Sequence, residues 1–228
     1  MQRKRAILWA AVIIIAAIGM RTARGRVPGF NNPIFAPDHA LLAHRPLLLA
    51  AAAGWVLLSL YWEIAARNAT AAKVSESRVS RSFHVFLMNL ALLLEIAPIH
   101  GLGRIMPVLV WVMAAGLALE TSGLFFAIWA RRHLGRHWSG EITIKVGHDL
   151  IRSGPYRYLR HPIYTGVLAM YAGILLVTCE WLALAGFIVV ALAYWRKIRL
   201  EEANLNRVFG ANYEAYRRET WALMPGIF

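Results

Sequence analysis

Two polar stretches of the chain hold residue types suited to gripping a charged, flat-ringed ligand. The first runs from Arg131 to Pro162 and is dense in Arg, His, Tyr and Gly, ending Ser153-Gly154-Pro155-Tyr156-Arg157-Tyr158-Leu159-Arg160-His161-Pro162. Pro162 suits the first turn of a helix, where its missing N–H costs nothing. Arg160 and His161 are therefore expected at a helix N-terminus, a place that favours anions. The second stretch begins at Arg196, Lys197 and Arg199 and continues at once into the pair Glu201-Glu202, then Phe209-Gly210, Tyr213 and Tyr216. Taken alone, the charges around Glu201 read first as an interfacial cluster of helical ion pairs.

Other single features are weaker. His133 and His137 have the i,i+4 spacing of two metal ligands, yet no HExxH and no acidic ligand accompany them, so no metal is expected. Gly101 and Gly103 make two thirds of a dinucleotide fingerprint, in the wrong context. The lone cysteine, Cys179, has no base beside it and reads as packing. Glu120 falls near the middle of an apolar run, where an ionisable side chain turns inward, either to a structural hydrogen bond or to a substrate cavity. Asn89 and Glu95 read as structural, and Glu63 lies near enough to a run's end to reach the interface.

The elements that must position these residues are membrane helices. Of 228 residues, 59% are hydrophobic and only 16% charged, with mean hydropathy +0.50. That excludes a disordered chain and argues against an ordinary water-soluble globule. Apolar runs recur at Ala6–Met20, Pro46–Ala66, Phe83–Ile99, Pro107–Ala130, Pro162–Thr178 and Trp181–Ile198. A bilayer core of about 30 Å takes about 20 helical residues. The reading is an all-α, polytopic integral membrane bundle of about six helices, its last two a tight hairpin and its last helix continuing as an amphipathic C-terminal segment. The first run, after Arg3-Lys4-Arg5 and before Arg21, is expected to be an uncleaved anchor rather than a signal peptide. Two parts are expected: 1–130, N-terminal membrane helices, and 131–228, the functional core.

The net charge of +13 follows from this topology. With the N-terminus inside, 20 of the 25 Lys and Arg fall in inside segments, as the positive-inside rule requires. Both termini and both polar stretches are then cytosolic and near anionic lipid. Nucleic acid is not an expected partner.

The order Leu134-Gly-Arg-His-Trp-Ser139, Gly154-Pro-Tyr-Arg-Tyr-Leu-Arg-His-Pro-Ile-Tyr-Thr-Gly166, Glu201-Glu202 and Phe209-Gly210-x-x-Tyr213-x-x-Tyr216 resembles the isoprenylcysteine carboxyl methyltransferase family, with parts shared by phospholipid methyltransferases. The likeness covers about residues 129–228. It implies a membrane methyltransferase that uses S-adenosylmethionine and a lipophilic small-molecule or lipid-modified acceptor, an isoprenylcysteine-like carboxylate in the first instance. By position, His148, Asp149, Leu150 and Ile151 would contact the cofactor partly through backbone. Tyr156, His161, Pro162, Ile163 and Tyr164 would complete the pocket, Glu201 would take the family's acidic position and Glu202 would support it. The family's carboxylate-binding Arg is replaced by Lys197, which keeps the charge but loses the bidentate fork, so Arg199 or Arg196 is a substitute. No dedicated general base stands out, which suits a carboxylate or thiolate acceptor; His161 is the fallback. Two rivals remain. An NADPH-dependent sterol-type reductase shares the Arg-His-Pro-x-Tyr run but lacks the paired Glu, and a non-enzymatic membrane protein would keep the scaffold alone.

Overall fold

A computed structural model describes residues 43–66, 74–75, 77–96, 102–135, 143–144 and 150–226. Its helices are α1 (Arg45–Ala66), α2 (Arg78–Ile96), α3 (Val110–Leu134), α4 (Pro162–Thr178), α5 (Trp181–Phe209) and α6 (Ala211–Glu219). A short 3-10 helix spans Gly154–Arg157. Strands β1 (Val74–Ser75) and β2 (Thr143–Ile144) pair antiparallel, with Val74 opposite Ile144. Four helices, α1, α2, α3 and α5, are long and apolar enough to cross a membrane. The fifth, α4, is a shorter apolar helix of 17 residues. The expected anchor over Ala6–Met20 lies outside the described residues.

Helix ends differ from the apolar runs where polar residues can join a helix. α2 starts at Arg78, five residues before the apolar run, because Ser77 caps it: its Oγ takes the Ser80 N–H at 3.2 Å. α3 runs four residues past Ala130 and carries Arg131, Arg132 and His133 in its last turn, where cations suit the helix dipole. The turn between α4 and α5 is closed by Cys179, whose backbone is left-handed (φ 53°) and whose N–H bonds the Leu175 carbonyl.

α3 and α4 pack backbone to backbone. A Cβ on Gly116 would stand 2.6 Å from the Gly173 carbonyl oxygen, and one on Gly123 would stand 2.5 Å from that of Gly166. Each helix thus presents two glycines seven residues apart to the other, the small-residue seam by which membrane helices approach. Gly186 of α5 meets the Ala91 carbonyl of α2 at 2.6 Å in the same way. Trp55, Leu92, Met170, Tyr171 and Tyr194 fill the space between the helices. Outside, large apolar side chains are open, Trp111 at 68% and Phe125 at 66% among them. Such a surface suits lipid and not water, and the protein is a multi-pass membrane protein.

The helices alternate in direction, so one end of the bundle collects the end of α1, the start of α2, the end of α3, the start of α4 and the polar part of α5. Arg131 reaches from α3 to the Ala65 carbonyl at 2.6 Å, and Arg196 from α5 to Ser80 Oγ at 2.5 Å. The opposite end holds Arg104, bridged to Glu180, with Cys179 buried beside it. Between the ends, Glu120 is 1% exposed, lies against Gly54 and Gly173, and has no hydrogen-bond partner among the described residues.

Candidate functional site

The polar stretch before α4 and the acidic pair of α5 meet at that first end. Arg160 Nε lies 2.6 Å from Glu202 Oε1. The His161 ring stands between the two acids, with Nε2 3.4 Å from Glu202 Oε1 and Nδ1 3.6 Å from Glu201 Oε2. Tyr164, one turn into α4, donates its hydroxyl to Glu201 Oε2 at 2.8 Å. Its ring lies parallel to His161, 3° between planes and 5.4 Å between centroids. Lys197 Nζ lies over the Tyr164 ring, 5.9 Å from its centroid.

The two acids are not equivalent. Glu202 keeps 7% of its side chain exposed, Glu201 28%. Consecutive helical residues point about 100° apart, so one faces inward and the other to the edge. Glu202 is bound by Arg160 and His161, with Arg217 Nε at 3.9 Å. Glu201 holds Tyr164 and His161 on one side and retains open surface. Glu201, Tyr164, His161 and Lys197 thus form a half-buried patch with an accepting carboxylate, two aromatic faces and a cation.

The chain's last residues secure this arrangement from behind. Gly210 (φ 49°) breaks the helix between α5 and α6. α6 then buries Tyr213 and Tyr216. Tyr216 donates to the Tyr156 carbonyl at 2.6 Å. Burial pushes the Tyr216 phenol up to about 12 and raises that of Tyr213 as well, whose hydroxyl has no hydrogen-bond partner among the described residues. Beyond α6, the Arg160 and His161 N–H groups bond the Trp221 and Ala222 carbonyls at 2.8 and 3.0 Å. Arg160 also donates to the carbonyls of Arg217, at 3.1 Å, and Thr220. Thr165 Oγ1 bonds the Leu223 carbonyl at 2.5 Å.

Of the residues expected in the site, His161, Tyr164, Glu201, Glu202 and Lys197 come together. Pro162 and Ile163 are buried behind them, Ile163 packing with Ala130 and Tyr156. Tyr156 is 7% exposed, and burial raises its phenol well above the ordinary value. Ile151 packs at the edge of the same cluster, Leu150 is half-buried, and His148 and Asp149 lie outside the described residues. Arg199 is exposed, while Arg196 is turned to Ser80 and lies over the Phe83 ring at 5.5 Å. Arg160 departs from its expected role: its guanidinium is held by Glu202 and backbone carbonyls, so it braces the site rather than offering charge to an anion. His133 bonds Ser153 Oγ at 2.9 Å and stacks over Tyr156; His137 is outside the described residues. The ring also explains Gly154 (φ 59°), where a Cβ would meet His133 Cε1 at 2.6 Å.

Sequence reasoning missed Tyr194 and His84. Tyr194 packs on Tyr164 at 4.8 Å and His84 meets Tyr194 edge-on at 5.3 Å. The only available signal was an aromatic and an imidazole inside otherwise aliphatic runs.

Residues 111–212 match the family model described as phospholipid methyltransferase. The chain is 26% identical to methanethiol S-methyltransferase of Mycobacterium tuberculosis, over 99% of this chain and 98% of the relative. It is 30% identical to protein-S-isoprenylcysteine O-methyltransferase A of Arabidopsis thaliana over 51% of this chain and 61% of the relative. A probable enzyme of the same name from Oryza sativa subsp. indica is 34% identical over 41% and 50%. The chain therefore spans between half and about three fifths of these two isoprenylcysteine relatives. A eukaryotic intramembrane Ras methyltransferase, isoprenylcysteine carboxyl methyltransferase, superposes with a TM-score of 0.58 at 15% identity over 96% of this chain and 74% of its own. The chain thus shares the fold of that solved structure. In sequence, the chain resembles the phospholipid methyltransferase model over residues 111–212 and the isoprenylcysteine methyltransferases over about half its length.

Proposed function

We propose that this protein is an S-adenosylmethionine-dependent methyltransferase whose acceptor is lipophilic, acidic and reaches the site from the bilayer. The observation that carries the reading is the patch of Glu201, Tyr164, His161 and Lys197, assembled from two helices at one end of the bundle. These residues fit the cofactor. Glu201, with open surface left on its carboxylate, would accept from the ribose diol or the ammonium. The part of the Tyr164 ring left exposed would meet adenine or the sulfonium, while His161, buried beneath it, would hold Glu201 in place. Bound there, S-adenosylmethionine supplies an electrophilic methyl group. The chain's own part is to orient the reactants and exclude water. Arg160 and Glu202 hold the patch in shape, and His148 and Asp149 belong to the same pocket by family position.

The concentration of Lys and Arg at the site's end supports a cytosolic placement, facing a water-borne cofactor. A carboxylate acceptor of the isoprenylcysteine kind fits the relatives so named, and Lys197 would meet its charge. A thiol acceptor is the second reading; what favours it is the near end-to-end match to the methanethiol enzyme. The reductase alternative needs free basic residues for the cofactor's phosphates, whereas Arg160 is committed to Glu202. Two measurements test the proposal. Purified protein should bind S-adenosylmethionine in preference to NADPH. Membranes given methyl-labelled cofactor should transfer label to a lipid-soluble product. Absence of cofactor binding would sink the reading.

A further inference from the structure

Arg196 stands outside the ligand-facing patch. It lies on α5 one residue before Lys197, yet its guanidinium turns to the start of α2. There it donates to Ser80 Oγ at 2.5 Å and lies over the Phe83 ring at 5.5 Å. An arginine that only snorkels turns its head to water. Arg196 is half-buried instead, and its Nη1 is hidden, with no hydrogen-bond partner among the described residues. The place it occupies is already positive. Ser80 belongs to the first turn of α2, where the helix dipole ends positive. Arg78 and Arg81 stand in the same turn, Arg78 exposed and Arg81 half-buried, and no acidic residue is in it. Arg199, exposed, follows Arg196 by three positions, on the same side of α5. The next acids along α5 are engaged elsewhere: Glu202 holds Arg160, and Glu201 holds Tyr164. Cations and a helix N-terminus thus share one corner of the bundle, at the level of the site.

The flanks of this corner are apolar and open. Val79, Phe83 and Phe86 on α2 and Leu192 and Leu200 on α5 are exposed. Trp195, exposed beside Arg196, marks the depth at which amphipathic rings sit among headgroups. The geometry points to a site for one anionic phospholipid of the leaflet on this side. Its phosphate sits among Arg78, Arg81, Arg196 and Arg199 at the N-terminus of α2, and its acyl chains run down over Phe83 and Phe86. A guanidinium fork matches phosphate oxygens, and a helix N-terminus favours an anion. Basic pockets between membrane helices take such headgroups. The open apolar flank separates a lipid from a dissolved anion, because only a lipid covers the Phe rings while its phosphate meets the cations. The bound lipid ties the start of α2 to the polar part of α5, which carries Lys197 and Glu201. The inference goes beyond the methyl-transfer reading and needs only that the helices cross a membrane.

The test uses the full chain in dodecylmaltoside micelles and three probes: dioleoylphosphatidylglycerol, dioleoylphosphatidylcholine and glycerol phosphate. At about tenfold over its dissociation constant, phosphatidylglycerol should raise the Tm of wild type by about 3–6 °C. Phosphatidylcholine should raise it less, and glycerol phosphate should leave it unchanged. Arg196→Gln should lose most of the preference for phosphatidylglycerol. Arg207→Gln removes an exposed cation from the last turn of α5, outside this corner, and should keep it. Equal shifts from the two lipids overturn the inference. So does an equal loss in both variants, which would mean that net charge alone attracts the lipid. A shift from glycerol phosphate as large as that from phosphatidylglycerol overturns the lipid as occupant. Should Arg196→Gln fail to fold, Arg78→Gln, at the exposed first residue of α2, decides: an undiminished preference in that variant overturns the site. Cofactor binding is read separately, so its failure strikes the methyltransferase reading and leaves this inference standing.

Discussion

Arg160 Nε and Glu202 Oε1 lie 2.6 Å apart with both side chains almost fully buried, at 4% and 7% exposure. The pair joins the second residue before α4 to the polar end of α5, and Arg160 fastens the C-terminal residues to the same point. Removing one partner of a buried ion pair strands the other charge, at a cost of about 3–5 kcal/mol. Arg160→Ala should therefore lower unfolding stability by about that much, measured in detergent. Glu202→Gln keeps an accepting oxygen and should cost less. The double variant should recover part of the loss, because no lone charge stays buried. A double variant as unstable as the sum of the singles would show that the two residues are not coupled.

Glu201 is the complementary case. Its carboxylate keeps open surface and does not bond Arg160, so Glu201→Gln should leave unfolding stability within about 1 kcal/mol of wild type. Hydrogen bonds to a charged group contribute about 1.5–3 kcal/mol. Affinity for S-adenosylmethionine should accordingly fall by about tenfold or more, read by calorimetry. A large fall in Tm with affinity unchanged would reverse the roles assigned to Glu201 and Glu202.

How much of this was legible beforehand depends on the kind of signal. Apolar runs and the Lys/Arg asymmetry mark membrane helices because lipid imposes one composition over whole turns. The Gly-Pro-Tyr and Glu-Glu strings mark the site because their order and spacing are specific. Which of two adjacent acids turns inward is not in the string; it depends on the rotation of α5 against α4. The same holds for Gly116, Gly123, Gly166 and Gly173. Their sevenfold spacing is visible within each helix, but nothing in one helix names its partner. Tyr194 and His84 were invisible because an isolated aromatic residue in an apolar run is ordinarily packing.

The glycine seam gives a sharp test of the scaffold. At Gly123 and Gly166 a side-chain carbon would meet a facing carbonyl oxygen at 2.5–2.6 Å, so the helices must separate to admit it. Overpacking of this kind costs about 1–3 kcal/mol. Gly166→Ala should lower Tm, and Gly166→Leu should lower it more and weaken cofactor binding, since α4 carries His161 and Tyr164. Unchanged Tm in Gly166→Leu would mean that α3 and α4 do not meet along this line.

The C-terminal clasp yields the last prediction. Residues 220–223 offer backbone carbonyls to the Arg160 guanidinium, the Arg160 and His161 N–H groups and the Thr165 hydroxyl. None of them belongs to the ligand-facing patch. If they act only by fixing His161 between the two acids, truncation after Glu219 should keep the membrane helices, measured by circular dichroism, while cofactor affinity falls at least as far as in Glu201→Gln. Tyr216→Phe removes one hydrogen bond of the same clasp, to the Tyr156 carbonyl. At about 1 kcal/mol for such a bond, it should weaken binding about fivefold. Full affinity in the truncated protein would show that the patch stands without its clasp, and the packing of α4 against α5 alone would then have to account for the position of His161.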